Sequence, residues 1–261
     1  MMADPPPTAG DETASFGFQE VPAEQKSSLV RGVFESVADR YDLMNDLMSG
    51  GIHRLWKRAM IDWLHPRAGQ QFIDVAGGTG DIAIRILDRI SGGGASAGSR
   101  IVVCDLTPSM LATGRNRALD RGILRGIEWI NGDAQRLPFA DRTFDAYTIA
   151  FGLRNVTDLL GALAEARRIL RPGGRFLCLE FSHVAVPILD RLYELYSFQV
   201  LPMLGQIVAQ DRAAYQYLVE SIRKFPGQEE LSQRILSAGL ERVEFRNLTG
   251  GIAALHSAWR I

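Results

Sequence analysis

Gln71-Phe72-Ile73-Asp74-Val75-Ala76-Gly77-Gly78-Thr79-Gly80-Asp81-Ile82-Ala83-Ile84-Arg85-Ile86-Leu87 is the stretch on which the fold turns. Gln71 to Val75 has the length and composition of a strand. It runs into a glycine-rich turn, after which Ile82, Ile84, Ile86 and Leu87 supply the apolar positions of a crossover helix. Glycines directly after a buried strand let a ligand approach the backbone, and the following helix offers free amide groups at its N-terminus. The rhythm recurs downstream. Ile101 to Cys104 reads as a buried strand closing on Asp105, with Pro108 at a helix start and a helix over Met110 to Leu119. Further strands are expected at Ile127 to Ile130, Phe144 to Ala150 and Arg175 to Phe181. A helix from Asp158 to Leu170 is stopped by Pro172-Gly173-Gly174.

Working outward, Lys26 to Leu64 carries apolar residues at helical intervals (Val30, Val33, Phe34, Val37, then Leu55, Trp56, Met60, Trp63), which predicts an N-terminal helical cap over about 26–64. Residues 1–15, with Pro5-Pro6-Pro7 and scattered acids, read as a disordered tail. Past Phe181 the pattern becomes a helical insertion over about 187–225, rich in Tyr193, Tyr196, Phe198, Tyr215 and Tyr217. A helix from Gln228 to Ala238 then precedes Leu240 to Phe245 and Ile252 to Trp259, a terminal antiparallel hairpin joined through Thr249-Gly250-Gly251. The expectation is an α/β fold: a doubly wound, mostly parallel seven-stranded sheet with helices on both faces, in a single domain over 16–261.

Composition bounds the function. The chain has 261 residues, 46% hydrophobic and 23% charged, with a formal net charge of -1, so no basic surface argues for a nucleic-acid partner. Cys104 and Cys178 sit inside apolar runs and read as core residues of strands in a reducing cytosol. No Lys or Arg precedes Lys26, which argues against a targeting segment. The uncharged run Leu195 to Gln210 is 16 residues long and broken by Pro202 and Gly205, short of the roughly 20 that span a bilayer. A cytoplasmic protein is expected, with any membrane contact peripheral.

Gly78-Thr79-Gly80-Asp81-Ile82-Ala83 also satisfies the dinucleotide pattern G-x-G-x-x-G/A, so the loop serves a nicotinamide-dependent oxidoreductase as well as a methyltransferase. Asp105, ending the second strand, is the expected partner of a ribose diol in either class. Asn131-Gly132-Asp133-Ala134 discriminates better. An acid after the third strand can accept from an adenine amino group while the Ala134 amide serves a ring nitrogen; a purely structural turn at Gly132-Asp133 is the lesser alternative. No Ser/Tyr/Lys set for hydride transfer is recognisable, and no His/Cys/Asp spacing suggests a metal.

Phe16-Gly17-Phe18, Tyr41 to Asp46, Gly51-Ile52-His53-Arg54-Leu55-Trp56-Lys57, Asp74 to Asp81, Phe151-Gly152-Leu153-Arg154-Asn155-Val156, Leu179-Glu180-Phe181-Ser182 and Tyr217 to Arg223 together resemble the ubiquinone/menaquinone biosynthesis C-methyltransferase family, over about Phe16 to the C-terminus. The resemblance implies methyl transfer from S-adenosyl-L-methionine to a ring carbon of a polyprenylated benzoquinol or naphthoquinol. It aligns Thr79, Asp105, Asp133 and Ala134 with cofactor-binding positions, beside Gly78 of the glycine turn, which the loop reading already places against the cofactor. Ala150 stands where other members carry Ser, so a hydroxyl contact is absent there. Methylation of a quinol ring requires loss of a hydroxyl proton and later of a ring hydrogen. Arg154 and Asn155 are the first candidates for this chemistry, with Arg154 stabilising phenolate or polarising water, since arginine stays protonated. Tyr41 is the next, as a hydroxyl on the cap facing quinol or cofactor. His53, His183 and His256 are bases by chemistry but read first as structural or surface histidines. Tyr193 to Val208 can line a tunnel for an isoprenoid tail, rest on a bilayer or simply pack. A homodimer and contacts with other quinone-biosynthesis enzymes are compatible with this reading. A non-catalytic organiser of such enzymes is the alternative from a different class.

Overall fold

The computed structural model describes residues 13–37, 46, 49–91, 98–183 and 212–261. Its elements run in chain order as β1 (Thr13–Phe16), β2 (Gln19–Pro22), α1 (Ala23–Val37), α2 (His53–Leu64), β3 (Gln71–Val75), α3 (Asp81–Ser91), β4 (Arg100–Asp105), α4 (Pro108–Asp120), β5 (Ile127–Asn131) and β6 (Phe144–Ala150). A 3-10 turn at Leu153–Asn155 leads to α5 (Leu159–Ile169), β7 (Leu170–Phe181), α6 (Arg212–Lys224), α7 (Gln228–Ser237), β8 (Glu241–Leu248) and β9 (Ala253–Trp259).

Seven strands form one sheet in the order β5-β4-β3-β6-β7-β9-β8. The first five are parallel, and β9 runs antiparallel between β7 and β8, as the expected terminal hairpin requires. Central strands buried on both faces explain the unbroken apolar runs. Along β3, Phe72 joins the core under α2, α3 and α6, whereas Ile73 and Val75 join the core under α5 and α7; Ile101 and Val103 alternate with Val102 and Cys104 in the same way along β4. Cys104 and Cys178 are free and fully buried in strands, as read from the sequence.

Chain direction across the sheet reverses between β3 and β6, and the crevice at such a reversal, beyond the carboxyl ends of the strands, is where ligands bind in open α/β sheets. The turn there is fixed by contact. Gly80 has φ +76, and a Cβ on it would lie 2.5 Å from the Trp129 ring.

Three boundaries differ from the sequence reading. Thr13–Ser15, assigned to the tail, pair in β1 with β2 (Thr13↔Pro22, Phe16↔Gln19), because Phe16 stacks on Tyr217 with ring centroids 4.3 Å apart. That partner is two hundred residues away, so no local pattern announces the hairpin. β7 starts at Leu170 rather than Arg175 and takes in Pro172-Gly173-Gly174 as an irregularity: Phe144 pairs with Leu170, yet Ala146 pairs with Arg175. Gly173 N–H donates to the Arg260 carbonyl and Arg260 N–H to the Gly174 carbonyl, so these breakers end the helix without ending the pairing. The cap begins at Ala23, three residues before Lys26. Most of the insertion, including Tyr193 to Val208, lies outside the described residues, as do Gly/Ser-rich residues 92–97; Arg212–Lys224 is helical.

Candidate functional site

A cleft opens at the carboxyl ends of β3, β4, β5 and β6, where ligands bind in such sheets. Its floor includes Ala76 and Gly78, one wall carries Asp105 and Met110, another carries Asp133 and Ala134, and Asn155 stands across from them. The roof is α1, through Val30, Arg31 and Phe34. α1 is pinned in place by Lys26, which is buried and donates from Nζ to the Val156 carbonyl at 3.0 Å. Ala76 (φ 48) and Phe151 (φ 58) are both left-handed without being glycine, and both line the cleft. A methyl on Gly152 would collide with Cβ of Ala76, so the turns after β3 and β6 touch and hold each other in these conformations.

Asp105 is the best-anchored polar group in the cleft. Its Oδ2 accepts the Gly78 amide at 2.8 Å and its Oδ1 the Thr107 amide at 2.8 Å. Burial pushes its carboxyl upward, and these two amides oppose the shift. The Thr107 side chain also bonds this carboxylate, whose roughly four lone-pair sites still leave acceptor capacity for a ribose. Asp133 closes its turn, its Oδ1 accepting the Gln135 amide at 2.9 Å, and it lines the cleft beside the buried Ala134. Gly78, Asp105, Asp133 and Ala134 are thus together.

Thr79 lies instead on a smaller cavity that meets the cleft at Ala76. Here the sequence reading missed a buried charge cluster. Lys57 on α2 donates from Nζ to Asp81 Oδ2 at 2.9 Å, and Arg85 donates to Asp81 Oδ1 at 2.9 Å. Asp74 accepts the Thr148 hydroxyl on Oδ1 at 2.9 Å, and its buried Oδ2 has no hydrogen-bond partner among the described residues. Burial alone would raise Asp81, but Lys57 and Arg85 outweigh it and hold the carboxyl down to about 2. A signal was available. His53, Trp56, Lys57, Met60, Ile61 and Leu64 are the buried stripe of α2, so Lys57 is a charge at a core position. Asp74 likewise interrupts an apolar strand.

Arg154 and Asn155 separate. Asn155 lines the cleft, and its Oδ1 accepts the Tyr217 hydroxyl at 3.0 Å. The Arg154 side chain turns away, onto a second cavity shared with Tyr217 and Lys26. It is 3% exposed and ion-paired with Glu180, itself 1% exposed, through Nη1 and Oε2 at 3.0 Å; Nη1 also donates to the Phe151 carbonyl. Burial raises the Glu180 carboxyl, which Arg154 opposes. Tyr41 lies outside the described residues. The three histidines are bound elsewhere than in the cleft: His53 to Asp46 at 2.9 Å, His183 to the Phe225 carbonyl at 3.2 Å and His256 to the Gln228 carbonyl at 3.0 Å.

The residues fit a cofactor with an adenosine half and a polar tail. The Asp105 lone pairs and the Ala134 edge suit adenosine, and the orphaned Asp74 oxygen suits a hydrogen-bond donor at the far end. A seven-stranded sheet of this order with a nucleoside cleft at its reversal defines a class I methyltransferase fold. Solved structures share it, at identities that speak to the fold alone. One is a SAM-dependent methyltransferase of Thermotoga maritima, with a TM-score of 0.61, 18% identity, and 89% of this chain and 100% of that one covered. Another is the geranyl diphosphate C-methyltransferase of Streptomyces coelicolor A3(2), with a TM-score of 0.57, 16% identity and 82% of each chain covered.

The chain belongs to the ubiE/COQ5 methyltransferase family, whose model matches residues 20–260. It is 60% identical over 246 residues to the ubiquinone/menaquinone biosynthesis C-methyltransferase UbiE of Paracoccus denitrificans, covering 94% of this chain and 96% of that one. It is 52% identical over 259 residues to the mitochondrial 2-methoxy-6-polyprenyl-1,4-benzoquinol methylase of Arabidopsis thaliana, covering 95% and 90%. The oxidoreductase and organiser readings fall away with this membership.

Proposed function

We propose that the protein transfers the methyl group of S-adenosyl-L-methionine to a ring carbon of a polyprenylated benzoquinol of the 2-methoxy-6-polyprenyl-1,4-benzoquinol type, of demethylmenaquinol, or of both. The observation that carries this is the near-full-length identity to C-methyltransferases named for those two pathways. The cofactor supplies, when bound, an electrophilic methyl on a sulfonium that leaves as a neutral thioether. The protein's work is alignment of the acceptor carbon and activation of the ring. Asp105 takes the ribose, Asp133 and Ala134 the adenine edge, and Thr79 and Asp74 the methionine portion. Asn155, held by Tyr217, contacts the quinol hydroxyl. Arg154, clamped behind it by Glu180, is a positioning residue whose fixed cation favours phenolate character, with Tyr41 a candidate second contact. The isoprenoid tail of such a substrate resides in lipid, so peripheral membrane contact belongs to the same reading; no helix among the described residues is long and apolar enough to cross a membrane.

With methyl-labelled cofactor, label should enter a ring carbon of at least one of the two reduced quinols and neither oxidised quinone. No incorporation into either quinol would refute the assignment.

A pH dependence follows from Asp74. Burial pushes its carboxyl from 3.8 up to about 7, helped by Asp81 and Asp105 and opposed by Thr148 and Lys57. A folded-state value above the unfolded one means that this stabilising contribution is fully present below 3.8 and is lost as pH rises through about 7. An ammonium pairs only with the ionised form, so cofactor affinity should rise up to about tenfold per pH unit below neutrality and level off above it. Calorimetry near pH 6 in buffers of different ionisation enthalpy should register about one proton released on binding, and none for Asp74→Asn. Equal proton release in the two proteins would remove Asp74 from the methionine site.

A further inference from the structure

Lys57, Asp74, Gly77, Thr79, Asp81 and Ala150 are on the walls of the smaller cavity. Its hydrogen bonding is incomplete for a purely structural cluster. Asp81 already carries Arg85 on one oxygen, and Lys57 loads the other. Lys57 is 4% exposed, and burying an ammonium to serve a carboxylate that has another cation is an unfavourable way to tether one helix to the next. On the same cavity stands Asp74, whose Oδ2 has no hydrogen-bond partner among the described residues. A cation with donors to spare and a carboxylate oxygen without a partner, on one cavity, match an α-amino acid, which brings one carboxylate and one ammonium.

We propose that Lys57 binds the α-carboxylate of the cofactor's methionine moiety, as the complement of Asp74 and its ammonium. The inference rests on the cofactor assignment above. An ammonium has three donors, and the Asp81 bond uses one, so Lys57 keeps its structural bond while it serves the ligand. Lys57 comes from the N-terminal cap and Thr79 from the glycine loop, so the carboxylate links the cap to the sheet. Adenosine binding alone needs neither Lys57 nor α2, because the wide cleft holds that half between β4, β5 and α1.

The test compares ligands that differ only in the head. Calorimetric Kd values are measured for S-adenosyl-L-methionine, its decarboxylated analogue, and 5′-methylthioadenosine, with wild type, Lys57→Met and Lys57→Arg. Lys57→Met should weaken S-adenosyl-L-methionine about 30-fold, as expected for one charge-assisted hydrogen bond, and leave the decarboxylated analogue within about twofold of wild type. Lys57→Arg should retain most of the preference for the carboxylate. Unchanged binding of 5′-methylthioadenosine to the Met variant certifies a folded adenosine site. An equal loss for the two sulfonium ligands, or no loss for either, overturns the assignment. If wild type binds none of the three, the cofactor reading itself has failed.

Discussion

Arg154→Ala should lower stability by about 3–5 kcal/mol and turnover at least about 100-fold, whereas adding Glu180→Leu should return most of the stability and none of the turnover. The stability loss follows from burial. Arg154 and Glu180 are 3% and 1% exposed, so removing the guanidinium leaves a carboxylate in the core without its counter-charge. Replacing both partners with apolar side chains removes that penalty. Turnover separates a structural clamp from a positioning role: Arg154 stands directly before Asn155, and its backbone amide also donates to Glu180 at 3.2 Å. Cofactor Kd should change little in either variant, because Arg154 does not line the nucleoside cleft. Denaturant unfolding and steady-state kinetics on the two variants decide the matter. A double variant as active as wild type would reduce Arg154 to scaffolding.

Loss of cofactor binding is the expected result for Asp105→Ala, with Kd raised at least about 100-fold, the equivalent of two ribose hydrogen bonds to a charged acceptor. Two effects combine. The acceptor for the diol disappears, and the Gly78 and Thr107 amides, each now held at 2.8 Å, lose their common anchor, which frees the glycine turn. Asp105→Asn should fall between, because its amide nitrogen must face an N–H where the carboxylate faced two with oxygen. Calorimetric titration with circular dichroism as a check on folding measures both. Wild-type affinity in the alanine variant would move the ribose elsewhere.

The rim that carries Asp105, Asp133 and Ala134 was legible from the sequence because it is local. Asp105 ends a strand, and Asp133-Ala134 follows the end of the next, so the parallel βα pattern alone brings them to one side of the sheet. The cluster of Lys57, Asp74 and Asp81 was not. Lys57 and Asp81 meet across twenty-four residues, and Asp74 reads as an ordinary strand residue until its unpartnered oxygen is found. Arg154 and Glu180 were both inside family-like segments. Their presence there says nothing about whether the guanidinium faces the ligand or the core.

The sequence by itself determined the order of strands and helices beyond the N-terminal hairpin, the glycine turn and the family, because each is written in periodicities and short motifs that act over a few residues. Only the tertiary structure decided which charges are neighbours. Side-chain direction at a core position is set by packing against elements far away in the chain, and in a low-dielectric interior that direction determines whether a charge is a ligand contact, a clamp or both.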